Sequence, residues 1–128
     1  MSIVKQLTVA CENRPGTLAH VAQVLGKAKV NVVAFGVGTM GAEGVVQLVV
    51  DNPNKAKRAL DSEGLVYTEQ RVLHAVLPNV AGALGRFAGK LAANNINIAS
   101  GYQTTVKGSR KASVVLAVSD LDRAARVR

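Results

Sequence analysis

The chain has 128 residues, of which 48% are hydrophobic and only 3% aromatic, and its net charge is +8 at pH 7. A chain of this length is the size of one ordinary domain, so an internal duplication would have to produce two very small units. The single cysteine, Cys11, excludes an internal disulfide, and two histidines beside it are too few soft ligands for a structural zinc site. We therefore expect neither a metal nor another cofactor.

The hydropathy pattern predicts a cytoplasmic protein. No apolar run reaches the roughly 18 residues that suggest a membrane-spanning helix. The start of the sequence, residues 1–5, lacks the basic segment, apolar segment and cleavage site of a secretory signal. No contact with a membrane is expected.

The positive charge is concentrated in the second half of the chain. Residues 1–68 contain seven Lys and Arg against five Asp and Glu, a balance of +2, whereas residues 69–128 contain nine against three, a balance of +6. Scattered surface charge favours a solvated face, and the alternative is an anionic partner.

A duplication relates the two halves of the sequence. Displacing the sequence by 66 positions superimposes six identical pairs, in the same order along both halves. They are Asn13 and Asn79, Gly16 and Gly82, Leu18 and Leu84, Ala22 and Ala88, Leu25 and Leu91, and Asn31 and Asn97. We divide the chain into a first unit, residues 1–68, and a second unit, residues 69–128.

The periodicity of the apolar residues changes in the same order within each unit. Alternation over residues 3–10 predicts a strand, and the spacing of Leu18, Val21 and Leu25 then predicts a helix, as does that of the matching residues in the second unit. Residues 31–35 and 45–50 predict two strands joined by a glycine-containing hairpin, and residues 97–99 and 112–118 repeat them. Each unit therefore continues as strand, helix, strand, strand.

The second helix of each unit has clear boundaries. Residues 51–53, Asp-Asn-Pro, supply cap side chains and a proline for its first turn, and Gly64 ends it. An extended run over residues 65–77 then ends the first unit and begins the second. In the second unit the corresponding helix begins near Asp120, and the sequence ends at Arg128 without a fourth strand.

The order βαββαβ predicts an α+β fold of two ferredoxin-like units, each an antiparallel sheet with its helices on one face, the second unit being truncated. The missing strand leaves a sheet edge that is either open or covered by another chain, since exposed edges invite pairing. We favour the second alternative, a homodimer.

The loops between the first strand and first helix are the candidate functional segments. They read Asn13-Arg14-Pro15-Gly16 in the first unit and Asn79-Val80-Ala81-Gly82 in the second. Unpaired N–H groups at a helix start can receive a carboxylate or phosphate, and glycine permits close approach. The alternative is purely structural, with both asparagines capping their helices and both glycines allowing close packing.

These loops resemble the ligand loop of ACT domains, in which Asp or Asn, any residue, Pro and Gly precede an apolar helix and a second strand of the type Ile-Asn-Ile. Asn13 to Leu18 with Val30-Asn31-Val32 match the pattern, and Asn79 to Leu84 with Ile96-Asn97-Ile98 repeat it without the proline. The resemblance covers nearly the whole chain. The chain resembles, in particular, small stand-alone proteins with two ACT units in tandem.

The resemblance implies a regulatory module that binds an amino acid between the loop of one unit and the second strand of a neighbouring unit. The residues implied in the first site are Asn13, Arg14, Pro15, Gly16, Thr17, Leu18, Asn31 and Val33. Those implied in the second site are Asn79, Gly82, Ala83, Leu84, Asn97 and Ala99. The second site departs further from the pattern, since Val80 and Ala81 stand before its glycine.

The composition of the loops favours a small aliphatic ligand, such as a branched-chain amino acid, over an aromatic one. Regulation would act on a partner enzyme in trans or through the assembly state, because no catalytic domain is attached. The alternative function is a ligand-free interaction or dimerisation module.

Catalysis and nucleic-acid binding are the least favoured functions. Cys11 and His20 form a conceivable pair, but a small strand residue and a surface histidine explain them equally well, and His74 is expected to be structural or at a subunit contact. The third strands contain no aromatic residue on which a base could stack. The chain is thus predicted not to be an enzyme.

Overall fold

The computed structural model describes residues 1–128, apart from the side chain of Met40. The elements are β1 (Ser2–Glu12), α1 (Thr17–Lys27), β2 (Val32–Met40), β3 (Glu43–Val50), α2 (Pro53–Ser62), β4 (Tyr67–Pro78), α3 (Ala83–Ala93), β5 (Ile98–Thr104), β6 (Lys111–Val118) and α4 (Leu121–Ala125). The predicted fold class is confirmed: βαββαβ is followed by a second copy that ends after its second helix.

The first compact unit spans Lys5–Gln70. Its strands follow the order β2, β3, β1 and then the start of β4, and β3 is antiparallel to both of its neighbours. Helix α1 and helix α2 bury Leu25 and Leu60 against Leu7 of the sheet, and all three side chains are fully buried. Truncating a leucine in such a core to alanine costs about 2–5 kcal/mol.

The second compact unit consists of Arg71–Arg128 together with Met1–Val4. Its strands follow the order β5, β6, β4, and β1 is the next strand beside β4. The start of β1 therefore occupies the place of the missing fourth strand. The sequence pattern predicts that this place is either open or covered by another chain. That prediction does not include the possibility that the first residues of the same chain occupy it.

The core of the second unit repeats that of the first. Phe87 and Leu91 of α3 pack with Leu73 of β4 and Val114 of β6, and all four are buried. Leu91 corresponds to Leu25 of the first unit, so most of the helical stripe recognised in the sequence is buried in both copies. Its first members, Leu18 and Leu84, are exposed.

The predicted cap of α2 is confirmed, and α4 begins with a cap of the same kind near the predicted position. The side chain of Asn52 accepts a hydrogen bond of 3.1 Å from the backbone N–H of Lys55, and Pro53 follows it in the first turn of α2. Asp120 accepts in the same way from Arg123 at the start of α4. Among the described residues, no helix is long and apolar enough to cross a membrane.

Candidate functional site

The loop between β1 and α1 ends at Gly16, which is the N-cap of α1. Its φ of +90° lies in the left-handed region, where a side chain with a Cβ costs about 1–2 kcal/mol. No side chain within the described part of the chain caps the helix. The N–H of Thr17 donates a long hydrogen bond of 3.4 Å to the Arg14 carbonyl. The next two N–H groups, of Leu18 and Ala19, remain available to an anionic or carbonyl group, and the helix dipole favours negative charge there.

Asn13 does not cap α1, so the structural alternative drawn from the sequence is wrong for this residue. Its side-chain Nδ2 donates a hydrogen bond of 2.8 Å to the carbonyl oxygen of Gly41, and its backbone N–H donates one of 2.8 Å to that of Ala42. Asn13 thereby fastens the loop to the hairpin between β2 and β3, leaving the start of the helix uncovered.

Thr17, Arg14 and Glu12 close the loop from within. The hydroxyl of Thr17 lies 2.9 Å from the carbonyl oxygen of Glu12 and 3.1 Å from that of Arg14, so its single proton is shared between them. Arg14 Nε forms an exposed ion pair of 2.7 Å with Glu12 Oε2. The hydroxyl oxygen of Thr17 keeps its capacity to accept a hydrogen bond from a ligand.

Two cavities border this loop. One, of about 430 Å³, is lined by Ala10, Cys11, Glu12, Arg14, Pro15, Gly16, Thr17, His20, Val21 and Leu65. The other, of about 100 Å³, is lined by Cys11, Glu12, Asn13, Arg14, Thr17, Leu18, Val37, Thr39, Gly44 and Val46. Six predicted residues, Asn13 to Leu18, thus line at least one cavity at the start of α1.

A third cavity lies at the hairpin end of the same unit. Its volume is about 720 Å³, and it shares Ala10, Cys11 and Glu12 with the 430 Å³ cavity. Thr39 and Val66 also line it. The end of β1 is therefore surrounded by open volume in the first unit.

Asn31 and Val33 lie elsewhere in the first unit. The backbone N–H of Asn31 donates to Asp51 Oδ1 at 3.0 Å, and the N–H of Asp51 donates back to the Asn31 carbonyl at 3.0 Å. This exchange joins the beginning of β2 to the end of β3, whereas the loop is attached to the opposite, hairpin end of β2.

Ten residues that line the 430 Å³ and 100 Å³ cavities were missing from the predicted ligand-binding set, among them Cys11, Glu12, Val37 and Thr39. Val37 and Thr39 come from the hairpin half of β2, which the sequence pattern ended too early, at residue 35. The continued alternation Phe35, Val37, Thr39 is the signal that could have identified them.

The loop of the second unit has the same backbone but a different surface. Gly82 has a φ of +86°, and Asn79 Nδ2 donates a hydrogen bond of 2.9 Å to the Ser109 carbonyl. An Arg86 nitrogen lies 2.8 Å from where a Cβ on Gly82 would stand, whereas the same position on Gly16 is open. Arg86 replaces His20 of the first unit and covers the loop with a guanidinium group.

The remaining predicted residues of the second unit lie in two separate places, as in the first unit: at the start of the helix and at the far end of the second strand. Ala83 is buried and Leu84 is exposed at the start of α3. Asn97 donates its backbone N–H to Ser119 Oγ at 2.9 Å at the other end of β5, and Ala99 is exposed beside it.

The residues considered for catalysis do not assemble into a catalytic group. Cys11 and His20 both line the 430 Å³ cavity, but no hydrogen bond of the described chain joins their side chains. His74 Nε2 lies 2.6 Å from Ser113 Oγ within the second unit. No group of three or more His, Cys, Asp or Glu among the described residues could hold a metal ion.

The chain is similar to known proteins over most of its length. The family model of the ACT domain matches residues 5–61. The crystal structure of protein BT0572 from Bacteroides thetaiotaomicron is similar with 30% identity and a TM-score of 0.90, over 96% of this chain and 84% of that one. A search of curated proteins finds no significant match.

Two further crystal structures share the fold at lower identity. The regulatory subunit of aspartate kinase from Thermus thermophilus has 17% identity and a TM-score of 0.74, over 98% of this chain and 91% of that one. The regulatory subunit of aspartate kinase from Thermus flavus has 17% identity and a TM-score of 0.63, over 90% and 85% of the two chains.

Proposed function

Because the chain belongs to the ACT-domain family, we propose that it is a regulatory protein without catalytic activity that binds an amino acid at the start of helix α1. The observation that carries this proposal is the uncapped helix start at Gly16 beside a cavity of about 430 Å³. Cavities of roughly 300–1,000 Å³ are typical of small-molecule sites.

Opposite ends of an amino acid meet suitable groups at this loop. The α-carboxylate would accept hydrogen bonds from the first N–H groups of α1, where the helix dipole also favours it. The ammonium group could donate to Thr17 Oγ1 or to the carboxylate of Glu12, both of which line the cavities.

The apolar side chains near the loop support a small aliphatic ligand. Leu18 and Val37 line the small cavity and are 38% and 52% exposed, so a ligand side chain could cover them. We therefore retain a branched-chain amino acid as the proposed ligand class. Val33 and Asn31 would enter such a site only from a neighbouring unit, as they lie at the other end of β2.

The loop of the second unit is proposed as a second, different site. Asn79, Gly82 and Leu84 repeat the first loop, but Arg86 covers Gly82. Ala83 belongs to this loop at the start of α3, whereas Asn97 and Ala99 keep their assigned places only if a neighbouring unit completes that site. The two loops are therefore expected to differ in affinity.

A homodimer through β2 is the proposed assembly. β2 is the outer strand of the first unit, and Val33, Phe35 and Val37 are each 52–53% exposed along it. Unpaired edges that carry apolar side chains favour pairing with a second strand. A second copy of the chain would bury these residues.

Regulation is proposed to act on a partner enzyme in trans. The Thermus thermophilus and Thermus flavus structures are regulatory subunits of aspartate kinase, which supports a chain of this fold acting on an enzyme in trans. Such control requires the ligand to bind one state of the assembly more tightly than another.

A thermal-unfolding screen against the twenty amino acids tests the ligand proposal. An amino acid at about 100 times its dissociation constant should stabilise the protein by about 2.7 kcal/mol, a shift of several degrees in the unfolding midpoint. We expect leucine, isoleucine or valine to give this shift and phenylalanine and tyrosine to give less.

The matched variants are Gly16→Asn and Gly64→Asn. Both glycines have positive φ and open space around the Cβ position, and asparagine tolerates this backbone better than other residues. Gly16→Asn should abolish the ligand shift while Gly64→Asn retains it. If no amino acid shifts the midpoint, the proposal is wrong, and the ligand-free interaction module takes its place.

A further inference from the structure

Four cations gather at the loop end of the second unit. Lys107, Arg110 and Lys111 lie in or beside the hairpin between β5 and β6, and Arg86 lies one turn into α3. All four side chains are exposed. We call this group the basic surface.

Hydrogen bonds hold the parts of the basic surface together. Asn79 donates through its side chain to the Ser109 carbonyl and through its backbone N–H to the Arg110 carbonyl, each at 2.9 Å. Arg86 reaches back over Gly82 in the same loop. Hydrogen bonds therefore hold the hairpin and the start of α3 next to each other, so that their charges lie on the same end of the unit.

The charges of the basic surface are not neutralised within the described chain. Other cations are paired there, as Lys57 is with Glu69 and Arg71 with Asp122. The ion pairs found among the described residues include none of the four cations. Uncompensated like charges repel one another, and an anionic partner would remove that cost.

The first unit shows that the ACT fold does not require this charge. Its hairpin, residues 41–43, carries Glu43 and no cation. Glu12 precedes its loop at the position that Pro78 occupies in the second unit, and the charge of Arg14 is paired with it. The concentration of positive charge is therefore specific to one copy.

Exposed apolar side chains accompany the cations. Val80 is 60% exposed, Leu84 46% and Val106 74%. Val80 and Leu84 lie in or beside the loop that Asn79 fastens to the hairpin, and Val106 accepts a backbone hydrogen bond of 2.8 Å from Ser109 in the turn. Apolar and cationic groups are thus interspersed on one surface.

We propose that the basic surface docks an acidic protein segment in which carboxylates are interspersed with apolar side chains. Arg and Lys pair with carboxylates, the dipole of α3 adds positive potential, and the valines would bury apolar partner side chains. Single-stranded nucleic acid would match the charge but needs aromatic residues for base stacking, and no exposed aromatic occurs among the described residues of this surface. This docking does not depend on amino-acid binding in the first unit.

Fluorescence anisotropy of the full chain with a labelled peptide of Glu interrupted by Leu tests the proposal. Lys107→Glu combined with Arg110→Glu should weaken binding at least about tenfold, because both charges at the contact are reversed. Lys27→Glu combined with Arg58→Glu is the control, since it makes the same change in net charge at exposed residues of the first unit. Equal weakening by both pairs would show attraction by net charge alone and would overturn the proposal.

The identity of the partner is tested by two further probes. A peptide of Glu interrupted by Gly should bind more weakly than the Leu-containing peptide, and Val106→Ser should remove that difference. A single-stranded oligonucleotide of equal charge should bind no better than the Glu–Leu peptide at the same salt concentration. Tighter binding of the oligonucleotide, or no difference between the two peptides, would contradict a protein segment as the partner.

Discussion

Gly101 shows how a single residue distinguishes two copies of one fold. It lies opposite Leu116 in the register of β5 and β6, and the corresponding pair in the first unit is Phe35 and Leu48. A Cβ on Gly101 would overlap Leu116 Cδ2 and lie 3.0 Å from the Val115 carbonyl oxygen. The outer strand of the second unit therefore cannot carry the phenylalanine that the first unit carries.

We expect Gly101→Ala to destabilise the protein by about 1–3 kcal/mol, the usual cost of inserting a methyl group into a packed region. Gly89→Ala is the control: Gly89 lies inside α3 with nothing near its Cβ position, so alanine there should raise stability by about 0.5–1 kcal/mol. Urea unfolding measures both changes. Equal effects of the two substitutions would mean that contact with Leu116 is not the reason for glycine at 101.

At the scale of elements, the helix caps could be predicted from neighbouring residues, whereas the contacts of the loops could not. Asn52 and Asp120 were recognisable because their hydrogen-bond partners lie three residues away in the sequence. Asn13 was not, because its partner Gly41 is 28 residues away and belongs to a hairpin whose position depends on the fold. The same residue type therefore accepts at one helix and donates beside another.

This difference predicts that substitution by aspartate affects stability differently at the two positions. Asn52→Asp should be tolerated, since a carboxylate can still accept from the Lys55 N–H. Asn13→Asp should destabilise by about 0.5–1.5 kcal/mol or more, since a carboxylate cannot donate to the Gly41 carbonyl. Thermal unfolding of the two variants, with Asn52→Ala as a reference that costs about 1 kcal/mol, measures the contrast. A tolerated Asn13→Asp would show that this hydrogen bond does not hold the loop.

Much of the fold, but less of the site, could be predicted from the sequence. The helical stripe that contains Leu25 and Leu91 and the alternation in the strands depend on local periodicity, which the sequence displays directly. The lining residue Val37 and the strand role of Met1–Val4 depend on contacts between distant segments. The ligand residues inferred from the family resemblance remain predictions.

At the scale of the whole molecule, some exposed charged side chains form ion pairs, whereas those of the basic surface form none among the described residues. Glu69 accepts from Lys57 Nζ at 2.7 Å and lies 3.5 Å from Lys5 Nζ. The hydrogen bond from Lys57, followed by the charge of Lys5, lowers the pKa of Glu69 below its usual 4.5, although partial desolvation opposes this shift. The stabilisation linked to this carboxylate is therefore present above pH 4.5 and is lost as the pH falls through the lowered pKa.

We accordingly expect Glu69→Gln to lower the urea midpoint at pH 7, and its effect to diminish as the pH falls below 4.5 and through the lowered pKa of the wild-type carboxyl group. Glu63→Gln serves as the control, because Glu63 takes part in no ion pair among the described residues. Equal pH dependence of the two variants would contradict the role assigned to the Lys57 contact.

The strand β1 also links the two compact units through the covalent chain. Met1–Val4 belongs to one unit and the residues from Lys5 onward belong to the other. A cut between the two repeats would therefore leave the second unit without the strand that β1 supplies, so the repeats do not correspond to two separable fragments.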